Sequence, residues 1–212
     1  MLRLCTVVAL LIAPPVSLRA QLDLTAAVTE YEAGGFKHRQ LNFQHNQSRV
    51  QYELPHGWTF RSEPRRIELT PPEAKFAKAL IEATPVAPPQ ALDTNAIRER
   101  FVAEAPPGSQ EIKLEEEGES PVQPGGYPSF QITISYQTMG EKFLKRAIFV
   151  NLPDTELVFR FTSRKDDFEA LFVDFKRSIM SWQVVENEPA VTAPPATTVP
   201  TVQATAASPG IR

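Results

Sequence analysis

The sequence predicts an α+β fold: a central antiparallel β-sheet of about six to eight strands, flanked by helices. Three observations point there. Residues 127–162 alternate apolar and polar side chains through three runs joined by short turns. Residues 168–179 carry a row of phenylalanines at helical spacing. The strand-like runs follow one another instead of alternating with helices, as a parallel sheet would require.

The first half holds shorter elements. Residues 41–44 and 50–54 read as strands separated by His45, Asn46, Gln47 and Ser48. Pro55, His56 and Gly57 make a turn that leads into Trp58. Residues 66–70 form a short alternating strand. Residues 74–84 suit two structures: Phe76, Ala77, Leu80 and Ile81 fit a helix, while Pro85 and the setting fit a strand. Residues 93–104 predict a helix capped by Asp93, with Ile97, Phe101 and Val102 on its apolar side. Pro106, Pro107 and Gly108 end it. Residues 110–116 give a strand bearing Ile112 and Leu114.

The second half is clearer. Phe130, Ile132, Ile134 and Tyr136 alternate with polar residues, giving a strand with one wet face. Residues 143–150 are apolar on both faces apart from Lys145 and Arg146, so that strand should lie centrally. Leu157, Phe159 and Phe161 then point one way, with Arg160 and Thr162 on the other side. Together these three make an antiparallel meander. A helix follows, capped by Asp166 or Asp167, with Phe168, Leu171, Phe172, Phe175 and Ile179 forming its buried face.

The ends differ from this domain, which is expected to span residues 21–186. Residues 1–20 read as a cleaved secretory signal: Arg3, an apolar run without charge, then Pro14, Pro15 and Ala20. The apolar run is too short to span a membrane. The expected location is periplasmic or secreted, with no transmembrane segment after cleavage. Cys5 is the only cysteine, so the mature chain would have no disulfide, thiol nucleophile or cysteine metal site. Residues 187–212 are rich in Pro, Thr and Ala and read as a disordered tail.

The segment Tyr52-Glu53-Leu54-Pro55-His56-Gly57-Trp58 resembles the opening "strand, Pro, Gly, Trp" motif of the PsbP/Mog-like group, which includes DcrB-like periplasmic proteins. Residues 168–182 resemble that group's closing helix, and the likeness covers about 51–182. The resemblance implies an antiparallel sheet flanked by helices and a role in protein contacts or assembly. It brings no catalytic residues with it.

The residues themselves give little chemistry. A net charge of -3 argues against a nucleic-acid partner. His38 and His45 are seven apart and fall on opposite faces of a strand, while His56 sits in a Gly turn, so no metal site is expected. No cofactor is expected, because phosphate-loop, dinucleotide, nucleophile-elbow and zinc-protease motifs are all missing. Gly34-Gly35 and Gly125-Gly126 read as turns. Glu115, Glu116, Glu117 and Glu119 read as a solvated rim at a strand end. Arg61, Arg65 and Arg66 beside Trp58 and Phe60 are the best candidates for a partner surface. The competing reading puts Trp58 in the core and leaves the arginines solvated.

These observations favour an extracytoplasmic, non-catalytic protein-interaction or assembly module with an unidentified protein partner. A small-ligand or lipid carrier is the alternative, and an apolar cavity between helix and sheet would support it. An unrecognised hydrolase ranks below both, and would need a deep pocket with convergent His and carboxylate groups.

Overall fold

The computed structural model describes residues 22–86 and 91–186. The expected signal and tail lie outside the described residues. In chain order the strands begin with β1 (Asp23–Ala33), β2 (Phe36–His45), β3 (Ser48–Glu53), β4 (Thr59–Glu63), β5 (Arg66–Thr70) and β6 (Lys78–Pro85). Helix α1 (Thr94–Ala103) leads to β7 (Gln110–Glu119), β8 (Ser129–Thr138), β9 (Glu141–Asn151) and β10 (Thr155–Arg164). Helix α2 (Lys165–Met180) and the short β11 (Gln183–Glu186) close the described chain.

The strands form two antiparallel sheets, not the one expected. The small sheet has the order β1-β2-β3-β11 and the large one β4-β5-β6-β10-β9-β8-β7. The division falls at the Pro55–Gly57 turn, where Gly57 takes φ +77° and sends the chain from one sheet to the other. Helices contribute less than expected, with α2 on β10, β9 and β3, and α1 on β8. The result is a sheet-dominated sandwich.

The ambiguous stretch resolves as strand. β6 is paired on both sides, with β5 and with β10. Ala79, Ile81 and Ala83 alternate as buried residues, so period two wins over the helical reading. Two-sided pairing satisfies the backbone of β6 and the facing edges of β5 and β10, which a helix there would leave unpaired. The meander β8-β9-β10 and α1 follow the sequence. Asp93 caps α1 by accepting hydrogen bonds from the Asn95 and Ala96 amides, each at 3.1 Å. The cap expected for α2 is different. Arg164 takes the cap position without a side-chain bond, and Asp166 and Asp167 lie inside the first turn, where their charge favours the helix N-terminus.

The core crosses the large sheet. On one face, β5, β6 and β10 supply Ile67, Ile81, Phe159 and Phe161, which meet α2 and the small sheet. On the other, β8 and β9 supply Ile132, Ile134 and Phe149, which meet Ile97 and Phe101 of α1. The phenylalanine row of α2 is buried as expected. The Phe161 ring lies 5.3, 6.0 and 5.9 Å from those of Phe168, Phe172 and Phe175. Just beyond the helix, Trp182 stacks on Phe43 of β2 at 5.7 Å and meets Phe159 of β10 edge-on at 5.4 Å. One ring therefore joins the two sheets.

A polar latch joins them again at the far end of β2. His45 Nε2 and Asn46 Nδ2 each lie 3.1 Å from an Asp154 carboxylate oxygen, and Thr155 Oγ1 donates to the same carboxylate at 3.0 Å. Burial would raise the Asp154 pKa, but the bonds from Asn46, His45 and Thr155 outweigh it and hold the group below its ordinary value.

Two outcomes are expected. Phe172→Ala should lower the stability by about 3 kcal/mol or more, read from the urea midpoint. An unchanged midpoint would place this face outside the core. For Asp154, a depressed folded pKa gives stability that is complete above the unfolded pKa and is lost as pH falls through the folded one. Asp154→Asn should therefore reduce stability at neutral pH and weaken its decline on acidification, as followed by thermal melts across the acid range.

Candidate functional site

Helix α1 has ten residues and covers β8 together with Phe149 of β9 and Val158 of β10. The rest of that face of the large sheet is left open. Strand register shows what it presents. Phe149, Val158, Glu82 and Arg66 lie in one row across β9, β10, β6 and β5. Ala147, Arg160, Leu80 and Glu68 make the next, followed by Lys145, Thr162 and Lys78. Apolar residues under α1 thus give way to charged ones beyond it, and a furrow runs along β6. It comprises two hollows of about 360 and 650 Å³ that share Glu82 and Arg160.

Arg160 stands at the junction and is only 12% exposed. Its guanidinium binds Glu82, and it holds Glu104 at 3.1 Å. Lys145 Nζ reaches the same Glu104 at 2.6 Å. Burial alone would raise the Glu104 pKa, yet the Lys145 and Arg160 contacts bring it below the usual carboxylate range. The cations rest on rings: Lys145 over Phe101 at 5.0 Å, and Arg100 and Arg160 over Phe149 at 5.5 and 5.9 Å. One end of the furrow carries Arg65 and Arg66, and the other carries Phe76, Tyr136, Met139 and Phe143.

The structure divides the predicted surface cluster. Trp58 is 1% exposed, stacks on Phe175 at 6.1 Å, and its carbonyl accepts from Arg39 Nη2 at 2.5 Å. It is a core residue and leaves the surface set, because a ring buried on α2 has no face left for a partner. Phe60 is half-buried against the same core. Arg61 points to the open side but pairs only with Glu63, at 3.6 Å, and is 82% exposed. Arg65 and Arg66 line the furrow. Alternation explains the split: on β4 and β5, aromatic and arginine residues face opposite ways. Arg100, Arg160, Phe76 and Met139 were not singled out from sequence. A signal existed for Arg160 alone, as a charge between Phe159 and Phe161.

The acidic run occupies the largely exposed second half of the edge strand β7. Glu115, Glu116 and Glu117 lie within β7 and each is engaged: Glu115 by Ser135, Glu116 by Gln131 at 2.7 Å and Arg146 at 3.2 Å, and Glu117 by Arg98. A register shift between Leu114 and Glu116 lets Glu115 and Glu116 serve the same face. Gly34-Gly35 is the turn of the β1–β2 hairpin.

A second cleft of about 600 Å³ lies beneath the β1–β2 hairpin, lined by His38, Glu53, His56 and Ser178 among others. His38 Nδ1 is 2.7 Å from Glu53 and the ring stacks on Tyr31 at 5.1 Å. Ser178 is 4% exposed, and its hydroxyl donates to the Glu53 carbonyl. The His38–Glu53 pair therefore has no free hydroxyl to activate at this serine. His45 is engaged elsewhere, in the inter-sheet latch. The space between α2 and the sheet is filled by Phe161, Phe168, Phe172 and Phe175, where a carrier would need room for its cargo.

No protein-family model matches the chain, and no curated protein matches it in sequence. Solved structures do. LpqN of Mycobacterium tuberculosis, described as involved in cell envelope biogenesis, has a TM-score of 0.50 at 11% identity, over 76% of this chain and 92% of that one. Cyanobacterial PsbP from Synechocystis scores 0.49 at 12% identity, over 81% and 96%. The Saccharomyces cerevisiae Ran-binding protein Mog1p scores 0.39 at 12% identity, over 72% and 85%. At 11% identity, the likeness to LpqN is one of fold alone. Among the described residues, no helix is long and apolar enough to cross a membrane.

Arg160→Met should cost about 2 kcal/mol, because it strands the partly buried Glu82 and leaves Glu104 to Lys145 alone. Arg61→Ser, on an exposed pair, should shift stability by less than about 0.5 kcal/mol. Equal melting temperatures for the two variants would remove Arg160 from its place at the centre of the furrow.

Proposed function

We propose that the protein is an extracytoplasmic, non-catalytic interaction or assembly module whose partner seats on the furrow along β6. The observation that carries this reading is the half-covered large sheet: α1 shields one part of the face and leaves beside it a furrow with charged and aromatic walls. Arginine and aromatic side chains together are the usual anchors of protein interfaces. The filled helix–sheet interior weighs against a carrier, and the commitment of Ser178 to a backbone carbonyl weighs against a serine hydrolase in the second cleft. The signal-like start supports an exported protein, as does the envelope role stated for LpqN.

The test is capture from the native envelope or secreted fraction with wild-type protein and an Arg65→Glu/Arg66→Glu variant as parallel baits. Both arginines are exposed, so folding should be unchanged, which circular dichroism would check. A discrete protein retained by wild type and lost from the variant is expected. Equal retention by both baits would move the partner surface elsewhere.

A further inference from the structure

We infer that the furrow takes an extended acidic polypeptide segment that places one bulky apolar side chain between Phe76 and Met139. This deepens the proposed function and rests on it.

The charge of the furrow is the first ground. Six cations line it (Arg65, Arg66, Lys78, Arg100, Lys145 and Arg160) against three carboxylates, Glu82, Glu104 and Glu156. The chain as a whole has a net charge of -3, so this positive surplus runs against the protein's overall sign. Arg160 and Lys145 already neutralise Glu82 and Glu104 on the floor. Lys78 pairs with Glu68 at 2.7 Å and Arg100 with Glu156 at 3.0 Å, which leaves Arg65 and Arg66 as the wall cations that can meet a partner. Arg65 and Arg66 are both exposed, and the nearest acidic group to Arg66 is Glu68 at a long 3.9 Å. Separated carboxylates on a partner can reach such walls while its backbone passes over the floor.

The second ground is apolar exposure at one end. Met139 is 94% exposed and Phe76 is 51% exposed. Behind them, Phe143 stacks on Tyr136 at 5.7 Å, and Phe76 meets Phe143 edge-on at 6.4 Å. Arg164 lies over the Phe76 ring at 4.3 Å and helps hold it in place. Large apolar side chains left in water beside a hollow of about 650 Å³ mark a place where a partner's side chain would gain by burial. Dimensions agree as well. β6 has eight residues and spans ~26 Å, the reach of a similar number of extended residues lying over it.

The probe is a displayed library of random dodecapeptides selected against the full chain. Enrichment of peptides that combine several Asp or Glu with one aromatic or large aliphatic residue is expected. Their binding should weaken with added salt. It should fall at least about fivefold in Phe76→Ser and in Met139→Ser, whose side chains are exposed enough to leave folding intact. Enrichment of basic or uncharged peptides, or of none, overturns the inference. So does acidic-peptide binding that ignores both substitutions. The two levels separate cleanly. A native partner lost with Arg65→Glu/Arg66→Glu but indifferent to Phe76→Ser and Met139→Ser leaves the interaction module standing and removes only the segment assigned here.

Discussion

The packing of Phe161 against the phenylalanine row of α2 is the contact on which the rest of the structure depends. It pins the helix across the large sheet, and so sets where the chain emerges after Met180. Trp182 then falls between Phe43 of the small sheet and Phe159 of the large one. The small sheet gains its last strand, β11, from the residues that follow. Trp58, at the entry to the large sheet, stacks on the same helix through Phe175. The helix thus organises both ends of the domain. The Pro-Gly-Trp turn and the closing helix, the two regions that carried the sequence resemblance, meet in one aromatic cluster.

The position of α2 also accounts for the furrow. Helix α2 and the small sheet together cover the side of the large sheet that bears Ile67, Ile81, Phe159 and Phe161. Alternation then forces Arg160, Glu82, Lys78 and Arg66 to the opposite side. Among the described residues, α1 and the turn that follows it lie there, over β8, Phe149 and Val158, and leave most of β6 uncovered. The charges that remain uncovered cannot all be left unpaired near a sheet surface, and Arg160 settles most of that demand through Glu82 and Glu104. The candidate site is therefore a by-product of the core: the face that α2 does not need is the face that can meet a partner.

Much of the fold was legible locally. The β8-β9-β10 meander, the Asp93 cap and the buried row of α2 all follow from periodicity and end signals. β1 did not. Its sequence, Asp-Leu-Thr-Ala-Ala-Val-Thr-Glu-Tyr-Glu-Ala, carries few large apolar residues, and nearly all of it is exposed. β11 is four residues long and depends on β3 for its identity as a strand. Residues 74–84 have apolar positions that fit either period, and only β5 and β10 on the two flanks decide between them. The partners of the acidic run were not legible, because Arg98, Arg146 and Ser135 lie 19, 30 and 20 positions away along the chain.

The sequence by itself determined the elements whose signal lies within one turn or one strand: which stretches alternate, where helices begin, and which face of α2 is apolar. Tertiary structure decided the rest, namely two sheets in place of one, the burial of Trp58, and the gathering of Arg65, Arg66, Arg100 and Arg160 along β6. The physical reason is range. Alternation and capping act between residues a few positions apart, so one sequence window contains both partners. Strand pairing and charge pairing join residues far apart in the chain. Arg160 meets Glu82 and Glu104 at separations of 78 and 56 residues, and no local pattern encodes that meeting.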